Sequence, residues 1–233
     1  MNRRDRIALA LRDALPIVLA YFPLSITFGV LAAASGVPWY MSVFSSVWIY
    51  SGGAQFMLIS MIETVAAPAT IIVTILLVNM RHVLYGATMG PYLADWREPL
   101  KWLAAIGLTD ESFVVTSNRA AAGESLTPSY YLTFALSAYG SWIAGTLVGA
   151  GLGGIVPPEA ASVLSFALPA LFLALLFGGE RTFSHLLAAC TGAALATLAG
   201  LLNLGGIGLI VGGIVGATAG QMLGRKRSRQ IKS

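Results

Sequence analysis

Charge is what this 233-residue sequence has least of. Charged residues make up 10% of it and hydrophobic ones 57%, with a mean hydropathy of +0.78. An ordinary soluble domain carries about 25% charged residues. So few charges cannot cover a globular surface, and the bulk solvent for such a chain is lipid. In lipid every backbone polar group must pair internally, so only helices or a closed barrel can span. The short alternating segments of a barrel are missing, and long apolar runs such as Ala66–Val78 and Ser162–Phe177 stand in their place. The expected fold is all-α, a polytopic transmembrane helical bundle. Cysteine is nearly absent: Cys190 is alone in an apolar run, which excludes an internal disulfide and argues against a metal cluster. There is no Walker A motif and no metal-ligand spacing, so neither ATP hydrolysis in this chain nor a bound cofactor is expected.

The net charge of +4 does not point to nucleic acid. Its carriers lie at the two ends, Arg3, Arg4, Arg6 and Arg12 at the start and Arg225, Lys226, Arg227, Arg229 and Lys232 at the finish. That is the positive-inside pattern, with both termini cytoplasmic. Residues 1–13 read as a basic cytoplasmic N-terminus, 14–223 as the transmembrane region and 224–233 as a basic cytoplasmic tail. The basic start before an apolar stretch resembles a signal peptide, but Pro16 and Pro23 interrupt a stretch longer than a usual signal core. It reads as a retained first membrane helix.

A crossing needs about 20 residues. Segments of that kind run over Ala14–Ala34, Trp39–Met61, Pro68–Thr88, Lys101–Arg119, Tyr130–Leu152, Ser162–Phe177, Phe183–Leu202 and Gly205–Leu223. A count of about eight puts both basic termini on one side. The count drops to about seven if the second segment re-enters instead of crossing. Gly36-Val37-Pro38 and Ile155-Val156-Pro157 each follow a glycine-spaced segment and precede another apolar one. This echo would divide the region into halves, 14–119 and 130–223, as in many transporters. Glycine and proline also punctuate membrane proteins without any duplication.

Function is to be sought where the chain breaks the lipid rule, because ionisable groups at membrane depth are costly unless paired or hydrated. The first breach is Asn79-Met80-Arg81-His82, followed by Tyr85-Gly86, inside the third segment. Asn79, His82 and Gly86 share one helical face, and Arg81 and Tyr85 an adjacent one. If the helix stopped at Val78, with Arg81 and His82 at the headgroups, only about eleven residues would follow Pro68, too few to span. The second breach is Thr109-Asp110-Glu111-Ser112 in the fourth segment. Either it marks a loop between two half-helices, or Asp110 and Glu111 face the interior opposite the third segment, where one of them pairs with Arg81. The third is Tyr50-Ser51-Gly52-Gly53-Ala54-Gln55 in the second segment, where paired glycines weaken a helix. The break either exposes backbone to a ligand or admits close helix packing. The fourth is a ridge of Gly208, Gly212, Gly216, Gly220 and Gly224, one helical stripe suited to close approach by another helix of this chain or of a second one.

These features favour a secondary transporter for a small zwitterion. Arg81 or a helix N-terminus would face the substrate carboxylate, and an acidic group its ammonium. The remaining carboxylate would exchange a proton and tie transport to the proton gradient. The residues expected at the substrate or coupling site are Arg81, Asp110, Glu111, Asn79, Gln55, His82, Tyr85, Gly52 and Gly53. The rival readings are an intramembrane hydrolase, with Ser112 or Ser184 beside His82 or His185, and a non-transporting channel or structural subunit.

Pro23 to Gly29, Ser51-Gly-Gly-Ala-Gln55, Asn79-Met-Arg-His82 with Leu84-Tyr85-Gly86, and Thr109-Asp-Glu-Ser112-Phe113 resemble the AzlC family. The motifs carry the resemblance from about Ala14 to Phe113; beyond Tyr130 it rests on length and hydropathy. It implies the large subunit of a bacterial inner-membrane exporter for valine, leucine or isoleucine, sometimes methionine. It also implies a small membrane partner of the AzlD type, for which the glycine ridge would be a docking face.

Overall fold

The computed structural model describes residues 2–153, 155–157, 166, 170, 183–201 and 211–222. Two compact units divide the chain, Met1–Leu168 and Pro169–Ser233. The first unit holds α1 (Arg3–Ala34), α2 (Trp39–Trp48), α3 (Gly52–Glu63), α4 (Pro68–Asn79) and α5 (Arg81–Met89). A 3-10 turn at Gly90–Leu93 follows, then α6 (Glu98–Ile106), α7 (Asp110–Ala121) and α8 (Pro128–Leu152). No strand occurs among the described residues. The protein is an all-α membrane protein, and three of its described helical stretches are long and apolar enough to cross: Arg3–Ala34, Pro68–Leu93 and Pro128–Leu152.

The first helix starts earlier than its apolar run suggests. Asn2 caps it, accepting from the Asp5 N–H while the Asp5 carboxylate accepts from the Asn2 N–H, and the helix runs unbroken through Pro16 and Pro23. It packs against α8 through glycines. A Cβ at Gly29 would collide with the α8 backbone at Thr146 and Ala150, and one at Gly149 with the α1 backbone at Ile26. Gly145 and Gly153 likewise lie against Ser25 and Ala33. The two glycine-spaced segments of the sequence echo are thus each other's partners. The core residues Tyr21, Phe28, Tyr131, Phe134 and Trp142 come from this pair.

Two expected segments are not single helices. The second, Trp39–Met61, divides at Ile49-Tyr50-Ser51 into α2 and α3. The fourth, Lys101–Arg119, divides at Gly107-Leu108-Thr109 into α6 and α7. Each piece is 9 to 12 residues long, short of the span length. The third segment continues past Val78, with one tightened turn at Met80, where Met80 N bonds Leu77 O and Val83 N bonds Met80 O.

The second unit contains α9 (Phe183–Leu201) and α10, residues 211–222. Gly212, Gly216 and Gly220 are the buried positions of α10. A Cβ on them would lie 2.5–2.7 Å from the carbonyl oxygens of Gly192, Ala188 and Ser184 in α9. This part of the ridge is occupied by a helix of the same chain, so it is not a free face for a small subunit. Gly208 and Gly224 lie outside the described residues, as do most of Ser162–Phe177 and the basic tail.

Candidate functional site

The three interruptions meet in one place. Thr109 caps α7: its hydroxyl accepts from Ser112 N, while Ser112 Oγ accepts from Thr109 N at 2.7 Å. This reciprocal box sets Asp110 and Glu111 in the first turn of α7, where the helix dipole favours negative charge. Arg81 comes from the tightened turn of the third segment and donates to Asp110 through Nη1. Its Nη2 lies 3.3 Å from Ser51 Oγ at the break before α3. Tyr85 donates to the other Asp110 oxygen at 2.5 Å, its ring stacked on Phe113 at 4.5 Å. The pair that the sequence left open between two carboxylates forms with Asp110. It sits at a loop between half-helices and also faces the third segment, so the two alternatives hold together. About a quarter of each charged side chain is exposed.

Glu111 turns elsewhere. Its carboxylate accepts from the Tyr21 hydroxyl of α1, which also lies 2.9 Å from Thr109 Oγ1.

Tyr50 carries the strain of the second segment's break. Its φ is +37°, a left-handed conformation that costs a non-glycine residue about 1–3 kcal/mol. The ring is buried edge-on to Tyr139 at 4.7 Å, and Tyr139 donates to Val47 O, a carbonyl at the end of α2. Beside this break lies a cleft of about 760 Å³, walled by Ile75, Leu76, Ile106 and Leu108 and edged by Tyr50, Asn79, His82 and Tyr139. Three buried polar atoms in this region have no hydrogen-bond partner among the described residues: Tyr50 Oη, Asn79 Oδ1 and Arg81 Nε. Native structures rarely leave such atoms unsatisfied.

Gln55 and Gly52, both candidate substrate contacts from sequence, are placed otherwise. Gln55 is fully buried. Its Nε2 donates to Ser45 Oγ at 3.0 Å and Ser46 Oγ at 2.9 Å, and its Oε1 accepts from Trp142 Nε1 at 2.7 Å. It ties α3 back onto α2 and both to α8. A Cβ on Gly52 would lie 2.7 Å from the Trp142 ring, so this half-buried glycine admits the indole. Gly53 is half-buried beside it. His82 lines the cleft with Nδ1 3.0 Å from Asn79 O. Ser112, the nucleophile of the hydrolase reading, donates to Gly107 O at 3.0 Å within its cap. The side chain of His185 lies outside the described residues.

Tyr21, Tyr139 and Trp142, each an aromatic polar tip in an apolar run, carry no signal of these contacts in the sequence. The same holds for a second ionic cluster. Arg119 at the far end of α7 donates to Asp13 of α1 at 2.8 Å and to Glu124, and lies 4.6 Å over the Tyr130 ring. Tyr130 donates to the same Asp13 oxygen at 2.8 Å. Antiparallel α1 and α7 are therefore bridged at two levels, Tyr21 with Glu111 and Asp13 with Arg119, about 12 Å apart along either helix.

The motifs that build these interruptions fall inside a family match. The AzlC protein model aligns with residues 16–156. A membrane protein of Archaeoglobus fulgidus is 36% identical over 203 residues, covering 86% of this chain and 88% of its own. The chain belongs to the AzlC family. The inner membrane protein YgaZ of Escherichia coli is 33% identical, covering 82% of this chain and 79% of its own. The branched-chain amino acid transport protein AzlC of Bacillus subtilis is 27% identical, with 91% and 84% covered. No solved structure matches the chain. AzlC family membership supports a role in membrane transport.

Proposed function

We propose that this AzlC family chain is the large subunit of an inner-membrane exporter for branched-chain amino acids, with methionine as a further substrate. It works as a proton-coupled secondary transporter with a small AzlD-type membrane partner, both termini being cytoplasmic. The observation that carries the reading is the apolar cleft beside unpaired polar atoms, at a point where three membrane segments are interrupted. Its volume is within the range of about 300–1,000 Å³ typical of small-molecule sites. Ile75, Leu76, Ile106 and Leu108 offer an aliphatic side chain a dry wall. Asn79 Oδ1 accepts from a substrate ammonium; Tyr50 O–H and Arg81 donate to its carboxylate. Such a division satisfies both ends of a zwitterion and the orphaned protein atoms together. Interrupted helices supply the hinge that alternating access requires.

The hydrolase reading is the weaker one, because the hydroxyl of Ser112 is spent on its own helix cap. A non-transporting subunit would have no use for an ion pair at membrane depth beside an apolar cleft.

The test is intracellular valine, leucine, isoleucine and methionine after a dipeptide pulse, in cells with and without this chain and a small AzlD-type subunit. Export lowers the branched-chain pools only when the chain is present. Arg81→Gln abolishes that export, since it leaves Asp110 without its cation and the break at Ser51 without its tie. Unchanged export in the variant removes the ion pair from the mechanism.

A further inference from the structure

Asp110 and Glu111 are neighbours in one helical turn, yet they are held in opposite ways. Asp110 is neutralised by Arg81 and also accepts from Tyr85. Glu111, half-buried, accepts from a neutral phenol, Tyr21, and among the described residues no cation lies within ion-pair distance of it. The titratable and charged groups around it are Tyr21 from α1, Tyr50 from the α2–α3 break, and Asp110 with its partners Arg81 and Tyr85. Protonating Asp110 would strand the Arg81 charge. Protonating Glu111 removes a charge that has no counter-ion, at a depth where charge is costly.

We infer that Glu111 carries the coupling proton, that Tyr21 is its positioning residue, and that Asp110 stays ionised throughout the cycle. This rests on the reading of the chain as a proton-coupled carrier. The placement of Tyr21 gives the step a balanced form. With Glu111 ionised, the Tyr21 O–H donates to the carboxylate. When a proton arrives from water on that oxygen, Glu111 becomes the donor to Tyr21 Oη. The phenolic hydrogen then turns to Thr109 Oγ1, 2.9 Å away. The carboxyl O–H is the one covalent bond formed, and the O–H of the hydronium ion that delivers the proton is the one broken, leaving water. The link between α1 and the α7 cap survives in both protonation states, while the charge at the site changes by one.

The experiment uses the full chain together with the small AzlD-type subunit, reconstituted in liposomes with labelled leucine. Two fluxes are measured: net uptake driven by an imposed pH gradient, and leucine–leucine exchange at equal pH. The wild-type protein shows both. In Glu111→Gln, gradient-driven uptake falls to the level left by a proton ionophore while exchange persists, and persistence of exchange also shows that the variant is folded. Asp110→Asn loses both fluxes. Tyr21→Phe keeps the carboxylate but moves the pH midpoint of driven uptake, so the inference is tested even if Glu111→Gln does not fold. Gradient-driven uptake that survives in Glu111→Gln overturns the assignment, as does loss of exchange in a folded Glu111→Gln. An unmoved midpoint in Tyr21→Phe overturns the role of Tyr21. If the wild-type protein exchanges leucine but ignores the gradient, it is the proton-coupled reading beneath the inference that fails.

Discussion

The first unit contains two kinds of membrane helix, and they solve the lipid problem in opposite ways. The α1–α8 pair is continuous; it removes side chains so that two backbones touch, with Gly29 on one helix and Gly145, Gly149 and Gly153 on the other. Small residues at such a seam gain packing without any need for polar groups. The stretches α2–α3, α4–α5 and α6–α7 are interrupted instead, and each interruption frees backbone groups or brings in a charge that has to be answered. Tyr139 answers Val47 O, Ser112 and Thr109 answer each other, and Arg81 answers Asp110. The continuous pair is a scaffold; the interrupted stretches hold every polar atom left unsatisfied near the cleft.

The sharpest way to break that contrast is to add a methyl group to the seam. Gly149→Ala places a Cβ against the Ile26 backbone, which has no side-chain freedom with which to yield. Overpacking of this kind costs about 1–3 kcal/mol and occasionally more, and a backbone neighbour places it at the upper end. Gly151→Ala, two residues on and so on the opposite side of the helix, meets nothing within 4 Å and is expected to be neutral or to gain up to about 1 kcal/mol from helix propensity. Thermal unfolding in detergent checks the pair. Equal melting temperatures for the two variants would mean that the seam is not tight.

The contrast also explains which parts were legible in the sequence. An uncompensated charge in lipid is so costly that Arg81 had to find Asp110 or Glu111, and the pairing followed from energy alone. The division of the fourth segment carried a signal of its own, since Thr109 followed by two acidic residues is the usual opening of a helix. The fate of Gln55 carried none. A glutamine beside paired glycines reads equally well as a ligand contact, and its true partner, Trp142, is 87 residues away. Tyr21 was hidden for the same reason: an aromatic in an apolar run shows nothing of what its hydroxyl will meet across the bundle. Local chemistry is visible in a sequence, whereas a long-range hydrogen bond waits for the topology.

Gln55 sharpens the boundary between scaffold and site, with an intermediate effect. Gln55→Leu fills the same space but leaves the Trp142 N–H without its acceptor and the Ser45 and Ser46 hydroxyls without their donor. A buried group deprived of its partner costs about 1–3 kcal/mol. The melting temperature therefore falls, while KM for leucine in the surviving protein stays at the wild-type value, because Gln55 does not line the cleft. A raised KM with unchanged melting would return Gln55 to the substrate site.

His82 should have the smallest effect, and its size separates a carrier from an enzyme. The ring edges the cleft, but its Nδ1 is engaged with Asn79 O, one turn back on the same segment. His82→Ala therefore removes one wall group without freeing a charge or cutting a tie between helices. For a carrier, losing a contact worth about 1 kcal/mol raises KM about fivefold and leaves maximal flux nearly intact. For a hydrolase that used His82 as its general base, the same change would remove turnover by about two to four orders of magnitude. Flux measured at saturating leucine decides between them, because a lost binding contact is overcome by concentration and a lost base is not.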